Sequence, residues 1–422
     1  MTTEYDYPQI KRPVVPMSFG VELAAKVTQL NDRVIAPVSN LSLDNSALTF
    51  TPEYQEEQIM SFQRAFATRK TMRKCCLSVI QGREATINAW VSSSGEVRAG
   101  YTSLATCSSS LCPSCIKHLA KERRELIQNT LAYAENNGLF ATFITLTTTK
   151  GGTLKDRIKD LNKCYSDTIS KTLKQRLKRR GNKVFEYVRA LDITINDKSN
   201  NPYHPHIHSL IITSDRYELM EDIIWDNWKS SMNKLGRKVS RLCYDFTCVD
   251  KVKGVESYLS KGLSFEVTST NKESKGSNSL GFMKWVLSIC DNPTKRQIAI
   301  YKNLLNETFK CRWFSKSKGF KGLGDRLEQE DKPLEVKEDK LVFSQPIGIN
   351  LWYAASELKG CRAVLRHIIK DKVSGNLIDT SVFNSILLLL QGSRYENIVS
   401  SVLIEGYKLE LIRIIKPYLS SL

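Results

Sequence analysis

Long apolar runs are missing from this 422-residue sequence. Nothing in it approaches the roughly 18 consecutive apolar residues that a membrane-crossing helix requires. The longest run, Ile386 to Leu390, suits a buried segment of helix or strand. The opening MTTEYDYPQIKRP has no apolar core, so it is not expected to act as a secretory leader. No motif recurs with a period of about 20 to 50 residues, which argues against a solenoid. Acidic residues are scarce beside basic ones, 44 against 62, which leaves a formal charge of +18. Such an excess repels itself and points to a polyanionic partner, nucleic acid or an anionic membrane surface. Without a spanning run, nucleic acid is favoured and no membrane partner is expected.

The rest of the composition is ordinary. With 41% apolar and 25% charged residues, the chain is not a disordered, collagen-like or mucin-like polymer. Its length suits two or three domains of about 150 residues each. Eleven cysteines without a secretory leader read as reduced thiols in a cytoplasmic protein, several of them available to a metal.

Residues 1–66 are a polar N-terminal region interrupted by Pro8, Pro13, Pro16 and Pro37. Residues 67–136 carry clustered cysteines and a helix from about Ile116 to Asn136, stopped by Asn137-Gly138. Residues 137–265 mix strands over Phe140–Thr149, Val184–Ile195, Ile207–Thr213 and Arg241–Val249 with helices over Lys155–Arg180, Glu218–Lys234 and Val252–Leu263. That mixture predicts an α+β domain, an antiparallel central sheet with flanking helices. Residues 266–340 read as a polar and basic connecting region. Residues 341–422 carry the apolar periodicity of an all-α C-terminal region.

Three of the five histidines fall within Tyr203-His-Pro-His-Ile-His208. Side chains two apart on a strand share a face, so His206 and His208 offer two imidazoles to one divalent metal. A surface histidine cluster without a role is the blander reading, and a pair entering an apolar strand argues against it. Asp192, inside the apolar strand Arg189–Ile195, is the best candidate for a carboxylate ligand, because a buried unpaired acid is costly. Two imidazoles and one carboxylate leave coordination positions open for substrate oxygens. His204 has the same parity and is a secondary candidate.

Cys107-x4-Cys112-x2-Cys115 leads directly into a helix, and Cys75-Cys76 lies upstream. Three thiolates plus one more make a closed tetrahedral zinc site, which contributes folding free energy rather than catalysis. Adjacent side chains diverge, so one of the upstream pair is expected to ligate, with Cys76 as the choice and Cys75 as its alternative. Cys164, Cys243, Cys248, Cys290, Cys311 and Cys361 show no ligand spacing.

Lys171 to Lys183 is the densest basic stretch. Leu173 and Leu177 can anchor it as a helix while Lys174, Arg176, Lys178, Arg179 and Arg180 face DNA phosphates. Lys251, Lys253, Arg312, Lys316 and Lys318 are candidates for the same surface.

In chain order, Phe143-Ile-Thr-Leu-Thr-Thr-Thr149, Asp192, His204-Pro-His-Ile-His208 and Tyr258-Leu-Ser-Lys261 resemble the three motifs of the HUH endonucleases. The likeness is to the rolling-circle replication initiators of small bacterial plasmids. It covers about residues 75 to 265, with weaker similarity near Arg312 to Leu323, and the family shows a similar cysteine pattern before its first motif. The resemblance implies an RRM-like palm and Mg²⁺ or Mn²⁺ held by His206, His208 and Asp192, where the family more often has Glu. It implies Tyr258 as the nucleophile, forming a 5′-phosphotyrosyl enzyme and freeing a 3′-hydroxyl. A phenol titrates near 10, so it needs help at neutral pH. Lys261, one helical turn on, can steady the phenolate or the phosphate. Gly254 stands where related initiators carry Glu and phage-type relatives a second Tyr, so the terminating step lacks its usual residue.

The partners implied are single-stranded or hairpin origin DNA and the host helicase and polymerase. Two rivals remain: an HUH transposase or relaxase, and a non-catalytic zinc-containing DNA-binding regulator. A covalent protein–DNA adduct would exclude the regulator.

Overall fold

The structure is a computed structural model that describes residues 52–92, 94–149, 151–214, 220–249, 280–320, 322–323, 339–358, 361–375, 380–393 and 401–420. Tyr258, Lys261, Gly254, Lys251 and Lys253 lie outside the described residues. Among the described residues, no helix is long and apolar enough to cross a membrane.

Among the described residues the first elements are α1 (Pro52–Phe66), the strands β1 (Ala85–Val91) and β2 (Val97–Thr102), α2 (Pro113–Asn136) and β3 (Phe140–Thr147). A long helix α3 follows, continuous through Leu154–Tyr165, Ser166–Leu173 and Lys174–Arg179. Then come β4 (Phe185–Ile195), β5 (Tyr203–Thr213), α4 (Met220–Lys234), β6 (Tyr244–Val249), β7 (Leu280–Gly281), α5 (Phe282–Ile289) and α6 (Lys295–Glu307). After them come β8 (Phe314–Lys316), β9 (Lys340–Ile347), α7 (Ile349–Glu357), α8 (Cys361–Ser374), α9 (Thr380–Ser393) and α10 (Ser401–Ser420), and single helical turns lie at Lys70–Arg73 and Arg241–Cys243.

These elements divide into two compact units, Gln55–Cys76 with Ala105–Lys337, and Met1–Tyr54 with Leu77–Leu104 and Glu338–Leu422. In the larger unit one sheet runs in the order β6-β3-β5-β4-β7, and β8 adds to β4. Every pairing in it is antiparallel. The antiparallel sheet with flanking helices is the architecture expected from sequence.

Odd-numbered residues of β5, such as Tyr203, Ile207 and Ile211, join Ile158, Leu161 and Tyr165 of α3 in the main core. Buried positions Leu161, Tyr165, Ile169, Leu173 and Leu177 of α3 repeat every four residues. An α-helix turns in about 3.6 residues, so such a stripe drifts around its axis. The wider π-helical turns of Ser166–Leu173 absorb that drift and keep the stripe on the sheet. On the opposite face, Leu210 and Ile212 of β5 bury against Ile127 and Leu131 of α2 with Phe143 and Val188.

The smaller unit holds the sheet β2-β1-β9. Residues of α7 to α10, among them Trp352, Ile368, Ile386 and Tyr407, share a core with Ile87 and Ala89 of β1. The C-terminal region is helical, as the periodicity predicts, but β9 ties it to a hairpin more than two hundred residues upstream. The sequence reading missed β9 because it adjoins a charged run and carries Pro346. That proline is tolerated on an edge strand. The stretch expected to be a polar connector also supplies α5, α6, β7 and β8. Its polar start hid the apolar run Phe282–Ile289, where Trp285 and Val286 are buried.

Candidate active site and metal centre

β5 is the middle strand between β3 and β4, and its even-numbered residues put His204, His206 and His208 on one face. Their rings stack in a row, with centroids 6.2 Å apart at each step and planes inclined by 20°. Phe143 of β3 continues the row, 6.0 Å from the His208 ring and inclined by 12°. The Tyr203-to-Thr213 strand therefore begins earlier than its apolar run suggests, and all three histidines ride on it.

Arg157 of α3, 1% exposed, fixes the entry to this strand. Its guanidinium donates to the Tyr203 carbonyl at 2.8 Å and to Asn201 Oδ1 at 2.7 Å. The Tyr203 hydroxyl in turn donates to the Ile300 carbonyl of α6 at 2.9 Å. The loop before the histidines is thereby held from two helices.

Asp192 pairs across the ladder with His206. Its Oδ2 lies 3.8 Å from His208 Nε2, and its Oδ1 accepts a hydrogen bond from the Ile193 amide at 2.8 Å. Burial by itself would raise its carboxyl. The adjacent His208 and the Ile193 amide outweigh that and hold it below its ordinary value. His206 is pushed down to about 4, chiefly by burial and against the pull of Asp192. Its imidazole is therefore neutral at pH 7, the form a metal ligand requires.

His208 Nδ1 is 3.0 Å from Thr145 Oγ1, and the two residues face each other across β5 and β3. A second hydrogen bond of this kind orients a ligating imidazole and leaves Nε2 for the ion. His206 Nε2 is 3.4 Å from Thr194 Oγ1. The roles of Thr145 and Thr194 went unnoticed in the sequence. Their signal was the shared strand parity, which becomes useful only once the register is known.

Four sulfurs, those of Cys75, Cys107, Cys112 and Cys115, lie within 4.8 Å of one another. Among the described residues this is the one set of three or more such ligand groups so close, and the two histidines with Asp192 are more widely spread. Cys75, the alternative of the upstream pair, occupies the fourth corner. Cys76 sits beside it, 3.8 Å away, with a left-handed backbone φ of 51°. Cys75 Sγ is 3.5 Å from both Cys115 Sγ and Cys112 Sγ, and Cys107 Sγ is 3.7 Å from Cys115 Sγ. Tetrahedral zinc with Zn–S bonds of about 2.3 Å requires sulfur–sulfur edges of about 3.8 Å, so the cage has the size for such an ion.

The four thiols perturb one another. Hydrogen bonding to Cys107 pushes the Cys75 and Cys112 thiols up. Hydrogen bonding to Cys112 draws Cys107 down, and hydrogen bonding to Cys107 draws Cys115 down. Four thiolates this close need a cation. Met60 and Gln63 of α1 roof the cage, and Gln63 Nε2 donates to the Met72 carbonyl at 2.7 Å.

Lys174, Arg176, Lys178, Arg179 and Arg180 are all exposed at the end of α3, while Leu173 and Leu177 are buried beneath them. This end of α3 lies by the Phe185–Thr213 pair, whereas the histidines occupy the other end of β5. Seven residues of strand separate His206 from Thr213, about 23 Å. α3 also covers the face opposite the histidines. The basic helix end is therefore remote from the histidine platform.

The antiparallel sheet thus carries the HxH strand at its middle, and the four-cysteine cage precedes it in the chain. The model of the family described as replication protein matches residues 101–342. The chain belongs to that family, the initiators of rolling-circle plasmid replication. No curated protein and no solved structure matches the chain.

Proposed function

We propose that this protein nicks and rejoins one strand of plasmid origin DNA, with Tyr258 as the nucleophile and a divalent metal at His206, His208 and Asp192. The observation that carries this reading is the His206–His208 row beside Asp192 on the middle strands of an initiator-family sheet. The donor set, two imidazoles and a carboxylate, suits Mg²⁺ or Mn²⁺, which would draw charge from the oxygens of the scissile phosphate. His208 is oriented for this by Thr145, and Asp192 is kept ionised by the neighbouring His208 and the Ile193 amide.

The Tyr258 oxygen forms a bond to phosphorus as the bond to the departing 3′-oxygen breaks, leaving a 5′-phosphotyrosyl enzyme. Lys261 stabilises the phenolate or the developing phosphate charge. Rejoining reverses these bonds when a 3′-hydroxyl attacks the phosphotyrosine. The four cysteines hold structural Zn²⁺ in this reading. The basic end of α3 grips DNA flanking the nick rather than the nick itself. The protein works in the cytoplasm with the host helicase and polymerase.

The test is incubation of the full chain with single-stranded origin oligonucleotides in Mg²⁺ or Mn²⁺, followed by denaturing electrophoresis and peptide mapping. A metal-dependent adduct on Tyr258, absent in Tyr258→Phe and slowed about a hundredfold in Lys261→Ala, is the expected result. DNA mapped to another tyrosine, or an adduct surviving in Tyr258→Phe, overturns the assignment. A protein that binds origin DNA and never forms an adduct would be the non-catalytic regulator.

A further inference from the structure

Three stretches of the larger unit contain no Asp or Glu: Gln58–Cys76, Ala105–Lys121 and Thr308–Gly324. Together they carry twelve Lys and Arg residues. The structure draws them together. Arg69 Nη2 lies 3.5 Å from Ser109 Oγ in the Cys107–Cys112 loop, and its guanidinium carbon sits 5.6 Å from the centre of the Phe309 ring. Lys310 Nζ is 5.5 Å from the same ring. Arg123 reaches the same loop at Ser110 and lies over Phe314, 4.8 Å from its centre.

Phe309 is 55% exposed. It follows Thr308, which is buried and donates its hydroxyl to the Leu304 carbonyl at 2.7 Å. A tight turn then closes as the Cys311 amide donates to the Thr308 carbonyl at 3.0 Å, with Lys310 at a left-handed φ of 62°. The ring is thus held on a braced turn with two cations near it. Exposed Lys70, Arg73, Lys74 and Arg312 extend the positive field around it.

We propose that Phe309, flanked by Arg69 and Lys310, is a stacking platform for an unpaired base of single-stranded DNA. A half-exposed aromatic ring with two cations beside it matches the two parts of that ligand, a flat base and the phosphates before and after it. A lone aromatic in a positive field is too small an apolar surface for a protein interface. The inference rests on the reading of the chain as a DNA-processing initiator and names where unpaired DNA is held outside the histidine site.

The test measures binding of the full-length protein to oligothymidylate, to a duplex of equal length and to an acidic peptide, without divalent metal. Phe309→Ala should weaken oligothymidylate binding about tenfold and leave duplex binding unchanged. Phe309→Trp should restore the single-strand affinity. Quenching of 2-aminopurine placed in the oligonucleotide should be lost in Phe309→Ala and regained in Phe309→Trp. Unchanged single-strand affinity in Phe309→Ala, an equal loss on duplex, or tighter binding to the acidic peptide than to oligothymidylate overturns the platform. Adduct formation at Tyr258 is scored separately, so wild-type protein that forms the adduct while Phe309→Ala still holds oligothymidylate disproves the platform alone.

Discussion

Asp192 faces His206 directly across the β4–β5 ladder, yet its carboxylate oxygen lies 3.8 Å from the imidazole of His208, its diagonal neighbour. The acid thus serves both histidines, one by register and the other by side-chain reach. Diagonal neighbours on a sheet are within reach of long side chains, and imidazole is long enough. Asp in place of the longer Glu is therefore compatible with this geometry.

The first prediction follows from that pair. His206→Ala and His208→Ala should each remove metal-dependent adduct formation while far-ultraviolet circular dichroism and oligonucleotide binding persist. Asp192→Ala should lose activity and Asp192→Glu should keep part of it. A double histidine variant that still cleaves at the wild-type rate in Mg²⁺ would remove the metal site from these residues.

The cysteine cage makes a sharper statement, because Cys75 and Cys76 are adjacent and only one joins the cluster. Cys75→Ser should lose its bound zinc and melt at lower temperature, as should Cys112→Ser and Cys115→Ser. Cys76→Ser should retain close to one zinc per chain. Elemental analysis of the purified variants checks this directly, and equal zinc in the Cys75 and Cys76 variants would refute the assignment.

Acid sensitivity should report the burial of His206. Its folded value of about 4 lies below its ordinary 6.5, so the unfolded chain binds more protons between those pH values. Stability is therefore complete above about pH 6.5 and falls as pH drops towards 4. Asp192, also held low, is lost at still lower pH, as its carboxylate protonates. The melting temperature of protein without added Mg²⁺ or Mn²⁺ should decline through this window. His206→Gln, which does not titrate, should flatten the decline, and an unchanged slope would show that His206 does not cause it.

Neutralising Lys174, Arg176 and Lys178 should weaken DNA binding uniformly across sequences and reduce its salt dependence, by about 0.9 in logarithmic slope for each phosphate left without its cation. At saturating DNA the rate of adduct formation should not change, since this helix end lies on the face opposite the histidines. A lower rate at saturation would place DNA from the histidine site across α3.

The HxH parity, the cysteine spacing and the anchors Leu173 and Leu177 were legible in the sequence because each is a local repeat, set by strand alternation or helical turns. The same periodicities located β3, β4 and β6 of the central sheet to within a few residues, but missed the start of β5 and the short strands β7 and β8. Charge excess was equally plain, since it needs no geometry. What the chain order does not contain is register. Only pairing of β4 and β3 with β5 brings Asp192 and Thr145 to His208, from positions 16 and 63 residues away. Only the tertiary fold selects Cys75 over Cys76, because that choice depends on which thiol a left-handed backbone at Cys76 leaves pointing at the Cys107–Cys115 loop. The pairing of β1 with β9, and the meeting of Arg69 with Phe309, were likewise invisible. These contacts join segments hundreds of residues apart, and no local pattern encodes a partner that only folding brings within reach.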